Sequence, residues 1–349
     1  MITNKILLTT YPHHKSRNIG DNLITRSFIK LVLHFDKHFK PVIHFREHSL
    51  IGYSKKNKQI IYAPGFSIVN DTYPMHYKLF PSLDRLKYFF PIGCSFQHQI
   101  PSMKSFLDYK YNQHTLDFLN YISQINGEIG CRDQLIVDLL KRNNIPAFYS
   151  GDMAIYDEKF INKEFNSPKE IKSLVVSIGH HQIYYEQLLE LLKFLQKKYK
   201  NAKLFISLHS RPNNLNLSLA NTAIQLGFNI LNLSGDISNL EMYENIDIHI
   251  GYRLHGHIYF LSQRKPSILL IEDARSYGLS RTNGTKTGCI DAFDEKQNLT
   301  NKTAVNQVKD LLEKSEFMRF KNYDKIFNFI DRSYSNLSNY LNKKITELA

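Results

Sequence analysis

An arginine and a histidine two residues apart, Arg253 and His255, stand where the apolar run Ile246-Asp247-Ile248-His249-Ile250 stops at Gly251 and a helical pattern begins. Ligands of open α/β sheets bind beyond the carboxyl ends of the strands, so this turn is a natural place for chemistry. A guanidinium suits bidentate binding of a carboxylate or phosphate, and an imidazole suits proton transfer near neutral pH. The structural alternative for the same residues is an arginine paired with a nearby carboxylate and a histidine at the helix start. His257, two residues on, faces elsewhere.

Arg132 leaves the strand candidate Glu128-Ile-Gly-Cys131 in the same way, and the two arginines are expected to face one another across a cleft and clamp a small dianion. The plainer alternative for Arg132 is an ion pair with Asp133 at a helix start. Asn18-Ile19-Gly20-Asp21 sets a carboxylate at the first helix, either as its cap or, left free, as an acceptor for the proton of a substrate hydroxyl. His98 follows another strand end, and His209 and Arg211 close a strand in the second half as secondary candidates. No metal is expected: clusters such as His13-His14 and His180-His181 lack the spacing of convergent ligands. No Gly-x-Gly-x-x-Gly or Walker sequence follows the first strand, which argues against a dinucleotide or nucleoside-triphosphate site.

The elements that must position these residues alternate. Strands are expected at 5–11, 41–45, 59–63, 88–92, 128–131 and 147–149, with helices from Asp21, over about 105–125 and over 134–141. The polar stretch 156–172, with Pro168, reads as a linker. A second series follows, with strands at 173–178, 203–207, 228–231, 246–250 and 266–271, and helices over 184–199, 215–226, about 238–245 and 255–263. Residues 278–291 read as a loop, and helices over 302–313 and 325–344 end the chain. Strands alternating with helices of this length imply parallel sheets with right-handed crossovers. The expected fold is α/β, two Rossmann-like domains facing across a cleft: an acceptor-side domain at 1–160, a donor-side domain at 172–300 and C-terminal helices at 301–349.

The chain of 349 residues is long enough for two cores, and 42% hydrophobic with 22% charged residues is the composition of an ordinary globular protein. No apolar run is long enough to cross a membrane, and the N-terminus lacks the pattern of a secretory signal. Three well-separated cysteines suggest neither a disulfide framework nor a zinc site, so a cytoplasmic location is expected. The net charge of +13 favours an anionic partner, but no nucleic-acid motif accompanies it, and lysines such as those of Ser54-Lys55-Lys56-Asn57-Lys58 read as solvated surface.

With these residues assembled, the chain resembles the polysaccharide pyruvyl transferase family. The resemblance runs from Asn18-Ile-Gly-Asp21 to about Gly284 and is most specific at Ile250-Gly251-Tyr252-Arg253-Leu254-His255, followed by Pro266, an apolar strand and Tyr277-Gly278. Weaker matches are Gly130-Cys131-Arg132-Asp133-Gln134, Ser150-Gly151-Asp152-Met153-Ala154 and Phe90-Pro91-Ile92-Gly93-Cys94-Ser95. The chain departs from the family pattern at Ala63-Pro64-Gly65-Phe66, where members carry a glycine-rich turn, and at Asp152-Met153-Ala154, where they carry Asp-Pro-Ala.

The resemblance implies a GT-B type architecture and transfer of a pyruvyl group from phosphoenolpyruvate to two hydroxyls of a capsule, exopolysaccharide or cell-wall sugar, with no cofactor beyond the donor itself. Carried over, Arg253, Arg132 and the Leu254 backbone would bind the donor, His255 would be the general acid and Asp21 the base, with His98 a further donor-side residue. The partners implied are phosphoenolpyruvate and a sugar, oligosaccharide or lipid-linked glycan, and the protein could associate peripherally with the inner face of the membrane. The alternatives are a glycosyltransferase of the same shape using an activated sugar donor, and a catalytically silent protein that binds anionic glycans.

Overall fold

The apolar run Ile6-Leu7-Leu8 is buried on both faces, as the centre of a parallel sheet requires. It forms β1 (Thr3–Thr9), which lies between β2 (Val42–Phe45) and β3 (Lys58–Pro64), with β4 (Phe89–Ile92) beyond. All three pairings are parallel. The short parallel pair β5 (Ile129–Cys131) and β6 (Ala147–Tyr149) continues the layer through a bridge from Cys94 to Cys131. Helices α1 (Ile19–Phe35), α2 (Met103–Leu107), α3 (Gln113–Asn126) and α4 (Gln134–Arg142) flank it. The single helix expected over 105–125 is two helices, because the Asn112 side chain accepts from the Thr115 N–H at 2.8 Å and caps a new start. The structure is a computed structural model that describes residues 3–10, 17–54 and 57–348. His13, His14, Lys55 and Lys56, and the loop expected after the first strand as far as residue 16, lie outside them.

The second half is a six-stranded parallel sheet in the order β12-β11-β10-β7-β8-β9. Its strands are β7 (Ser173–Ser177), β8 (Lys203–Leu208), β9 (Asn229–Asn232), β10 (Ile248–Gly251), β11 (Ser267–Ile271) and β12 (Cys289–Asp291). Helices α5 (Tyr185–Lys198), α6 (Asn214–Gln225), α7 (Leu254–Ser262) and α8 (Ala274–Arg281) connect them, and the stretch expected as a helix over 238–245 is a 3₁₀ helix over Ile237–Tyr243. The 278–291 loop is corrected in part: its start lies in α8, held by an Asp273–Ser276 capping box, and its end is β12. A small ribbon of β13 (Phe293–Asp294) and β14 (Leu299–Thr300) follows.

Helices α9 (Ala304–Phe317) and α10 (Asp324–Leu348) end the chain. Rather than staying with the second half, α10 returns to the first: the Tyr340 ring lies 4.4 Å from Phe148 and 6.0 Å from Phe90. One buried core accordingly runs through both halves, from Leu7 and Phe28 to Val175, Leu269 and Leu341. Residues 156–172 hold no helix or strand. Among the described residues, no helix is long and apolar enough to cross a membrane.

The strand orders place the site. In the first sheet the connections run outward from β1 to β2 on one side and through β3 to β4 on the other; in the second they diverge between β7 and β10. Such switch points open a crevice at the carboxyl ends of the strands, and ligands bind there. Thr9, Thr10, Pro64 and Gly65 end the first pair, and Ile178-Gly179-His180 and Tyr252-Arg253 follow the second. This is the two-domain GT-B type arrangement.

Candidate active site

At the end of β10 the chain turns on Gly251, where an added Cβ would lie 2.6 Å from the Ser177 backbone. Only glycine lets β10 approach β7 this closely. The approach brings the Arg253 N–H to the Ser177 hydroxyl at 3.1 Å, and α7 starts at the next residue. The Arg253 side chain then turns along the second sheet. Its Nε donates to the Ile178 carbonyl at 2.7 Å, Nη2 to Ser210 Oγ at 3.2 Å, and Nη1 lies 2.6 Å from the His180 ring nitrogens. It is 4% exposed and makes no ion pair with any described residue. The nearest acidic influence is Glu272, whose carboxyl is pushed up to about 8 by burial, with Asp273 adding to the rise. Burial and Arg253 together hold the His180 ring far below the usual histidine range, so it is neutral at the guanidinium.

His255 turns the other way, toward the first half. Its Nε2 lies 3.4 Å from Asp152 Oδ2 and 3.5 Å from Arg132 Nη2. Arg132 and Asp152 are themselves ion-paired, with side chains only 5% and 3% exposed. The partner of Arg132 is thus Asp152, not Asp133, which caps α4 by accepting from the Ile136 N–H at 3.0 Å. Burial pushes the Asp152 carboxyl up, but the Arg132 guanidinium and the His255 ring outweigh it and hold the group well below the usual carboxylate range. On its other side His255 meets the first turn of α1: a Cβ on Gly20 would lie 2.3 Å from its Nδ1. Gly20 is therefore a requirement of close approach.

Asp21 sits one residue further along that turn. Asn18, not Asp21, caps the helix, accepting from the Gly20 N–H at 3.1 Å. The Asp21 carboxylate, bonded to no described residue, lines a narrow interdomain chamber of about 40 Å³ together with His255, Arg132, Arg46, Arg275 and Gln97. Arg253 is not among the lining residues, so the expected clamp of Arg132 and Arg253 across one cavity is not what this chamber shows. His98 lies outside it too: its Nδ1 accepts from the Ile100 N–H at 3.2 Å, and its ring lines a separate, larger groove. His209, expected on the cleft side, is a buried structural residue, its Nε2 2.7 Å from the Tyr243 hydroxyl. Arg211 is exposed.

The other histidines of this region show the contrast. His249 and His257 both bring Nδ1 to the Ser267 hydroxyl at 2.8 Å and are fully buried. Burial pushes the His257 ring down to about 3, so it is a neutral core residue. Among the described residues, no group of three or more His, Cys, Asp or Glu could hold a metal ion.

Sequence reasoning passed over Arg46 and Arg275, although each also follows a strand end, directly after Phe45 and four residues after Ile271. Arg275 is bonded to Asp273 through Nε at 2.8 Å and Nη2 at 2.5 Å. Asp152 stood in a quoted motif without a role. Its place beside His255 depends on β6 pairing with β5 and on α7 packing against the following turn, contacts between distant segments that no local pattern announces.

The polysaccharide pyruvyl transferase family model matches residues 18–273, and the chain belongs to this family of transferases. No curated protein matches it by sequence. Among solved structures it is similar to S. aureus MnaA in complex with UDP, at 10% sequence identity and a TM-score of 0.52 over 93% of this chain and 91% of that one. This likeness is one of fold. A UDP-GlcNAc 2-epimerase from Neisseria meningitidis, solved bound to UDP-GlcNAc, matches at 12% identity and a TM-score of 0.47 over 99% and 100% of the two chains. A mutant of S. aureus TarM, solved with Fondaparinux, alpha-GlcNAc-glycerol and UDP, matches at 14% identity and a TM-score of 0.45 over 94% of this chain, which spans 59% of the TarM chain.

Proposed function

We propose that the protein transfers a pyruvyl group from phosphoenolpyruvate to two hydroxyls of one sugar in a cell-surface polysaccharide, giving a pyruvate ketal and phosphate. The observation that carries this reading is the placement of His255, held by Asp152 and Arg132, in one chamber with the Asp21 carboxylate, which is bonded to no described residue.

In the first step Asp21 accepts the proton of an acceptor hydroxyl, the hydroxyl oxygen bonds to the carbon bearing phosphate, and the adjacent methylene carbon takes a proton from His255 to become a methyl group. In the second step a neighbouring hydroxyl bonds to the same carbon, the carbon–oxygen bond to phosphate breaks, and phosphate leaves with the electron pair. The second hydroxyl proton returns to the depleted histidine, and the proton held by Asp21 leaves with the phosphate, so the protein ends as it began. Asp152, 3.4 Å from Nε2, fixes the position of the His255 ring, and a general acid must be held within reach of the atom it protonates. Arg253, the Leu254 N–H at the start of α7, Arg132 and Arg275 are the groups for the donor's carboxylate and phosphate; a helix N-terminus and guanidinium groups both favour anions. His98, placed on the groove, falls to the acceptor side in this scheme.

A chamber of about 40 Å³ has room for little more than water, so substrates enter by parting the halves. Two backbone bonds beside the site join the halves: the Ile19 N–H to the His209 carbonyl at 2.9 Å, and the Ala274 N–H to the His98 carbonyl at 3.0 Å. The test is phosphate release from phosphoenolpyruvate in the presence of candidate acceptor glycans, with the product examined for a ketal. Turnover of a nucleotide sugar with none of phosphoenolpyruvate would overturn the proposal in favour of glycosyl transfer.

A further inference from the structure

We infer that the acceptor is a neutral oligosaccharide, bound over several residues in the large groove between the 98–109 segment of the first half and the 277–307 segment of the second. The inference rests on the proposed transfer for its biological sense but not for its test. The groove encloses about 1190 Å³, against about 40 Å³ for the chamber, and exceeds the usual range for a single small ligand.

The groove and the chamber share two walls. Ser95 and Gln97 line the chamber and His98 the groove; Arg275 lines the chamber and Tyr277 the groove. A chain with one sugar at His255 would therefore continue into the groove. The family match ends at Asp273, so the second wall, from Tyr277 to Gln307, lies wholly beyond it. This is where features peculiar to one acceptor can reside.

The lining chemistry selects the class of ligand. The chain carries +13 overall, yet the groove presents four carboxylates against three lysine or arginine side chains. Several are already satisfied: Arg281 makes a two-oxygen ion pair with Asp291 at 2.9 Å and lies over the Tyr277 ring, and the Tyr277 hydroxyl donates to Glu295 at 3.2 Å. Exposed Glu295 and half-buried Asp294 would repel a polyanion, whereas paired charges and amides suit the hydroxyls of an uncharged sugar. Phe293, half-buried on the β13–β14 ribbon, has no ring partner among the described residues and offers an apolar face to a sugar ring. Asn298, exposed and bonded to no described side chain, lines the same groove.

The experiment is retention of labelled full-length protein on a printed array of neutral oligosaccharides of increasing length, set beside sulfated and sialylated counterparts. Retention is expected on neutral chains, rising with length and falling about tenfold for Phe293→Ala. Asn298→Gly, which removes the amide but keeps the left-handed turn at φ 54°, is expected to weaken retention by a smaller factor. Preference for the charged glycans, equal retention of single sugars and longer chains, variants equal to the parent, or no retention at all would overturn the groove assignment. The second arm uses phosphoenolpyruvate and the best-retained oligosaccharide, where Phe293→Ala should raise the acceptor KM about tenfold with kcat and the donor KM unchanged. Retention without phosphate release defeats the transfer reading alone; phosphate release with an unchanged acceptor KM in the variant defeats the groove alone.

Discussion

Arg132 and Arg253 occupy matching places, each leaving a strand at the carboxyl edge of its sheet, and both are buried, yet their surroundings differ in kind. Arg132 is neutralised by Asp152 and shares that carboxylate with His255. Arg253 is held by a carbonyl, a hydroxyl and a neutral ring, with no carboxylate ion pair among the described residues. A buried charge is costly unless paired, so in the proposed scheme Arg253 is the main anchor for the donor's anionic groups, while Arg132, already paired with Asp152, chiefly sets the position of the acid. Equivalent positions in the two halves are thus built differently, one with a carboxylate counter-ion and the other without one among the described residues.

The comparison breaks most sharply on stability. Arg132→Met leaves Asp152 buried without its cation and is expected to cost about 3–5 kcal/mol in denaturant unfolding. Arg253→Met loses only hydrogen bonds and is expected to cost about 1 kcal/mol, while phosphoenolpyruvate affinity measured by calorimetry falls at least about a hundredfold. Equal stability losses in the two variants would erase the distinction.

His255→Ala is expected to lower kcat for phosphate release by at least about a hundredfold, the scale of a positioned acid. Donor affinity in that variant should hold, which separates the acid from the anchor. Gly20→Ala forces the His255 ring off its place, since the new Cβ would sit 2.3 Å from Nδ1; kcat is expected to fall about tenfold with the acceptor KM little changed.

The smallest effect is in the pH dependence of unfolding, where Glu272 and Asp133 pull one way and Asp152 the other. Glu272, raised to about 8 from 4.5, keeps a proton in the folded state that the unfolded chain has lost. Its contribution is fully present below 4.5 and is lost as pH rises toward 8. Asp133, raised to about 7 by burial, acts in the same sense. Asp152, held below its ordinary 3.8, contributes stability that is present above that value and is lost as pH falls. Glu272→Gln should flatten the alkaline-side decline, and Asp152→Asn should remove part of the acid-side loss. An unchanged slope in either variant would show that the carboxyl in question titrates normally.

Most of the fold was legible because alternating short apolar runs and amphipathic helices are local patterns. Ser173-Leu-Val-Val-Ser177 and Lys203-Leu-Phe-Ile-Ser-Leu208 declare themselves strands by composition. The misreadings fall where side-chain hydrogen bonds override periodicity: Asn112 starting a second helix, and the Asp273–Ser276 capping box starting α8. The site was legible in its candidate residues and not in its pairings. Arg132, His255 and Asp21 meet at one chamber, but Asp152 as the shared counter-ion and Arg253 turning toward His180 depend on contacts across long stretches of chain, and Asn18 rather than Asp21 takes the local role of cap.

The amino-acid sequence by itself determined that this chain forms two parallel α/β halves, and that Arg253 and His255 leave a strand end two residues apart, since strand, glycine and helix succeed one another within a single turn of chain. Tertiary structure decided which way each side chain turns. Residues two apart at the start of α7 point to opposite sides, and only the packing of α1 through Gly20, with the approach of Asp152 from the first sheet, fixes His255 in the chamber and leaves Arg253 among the loops of the second.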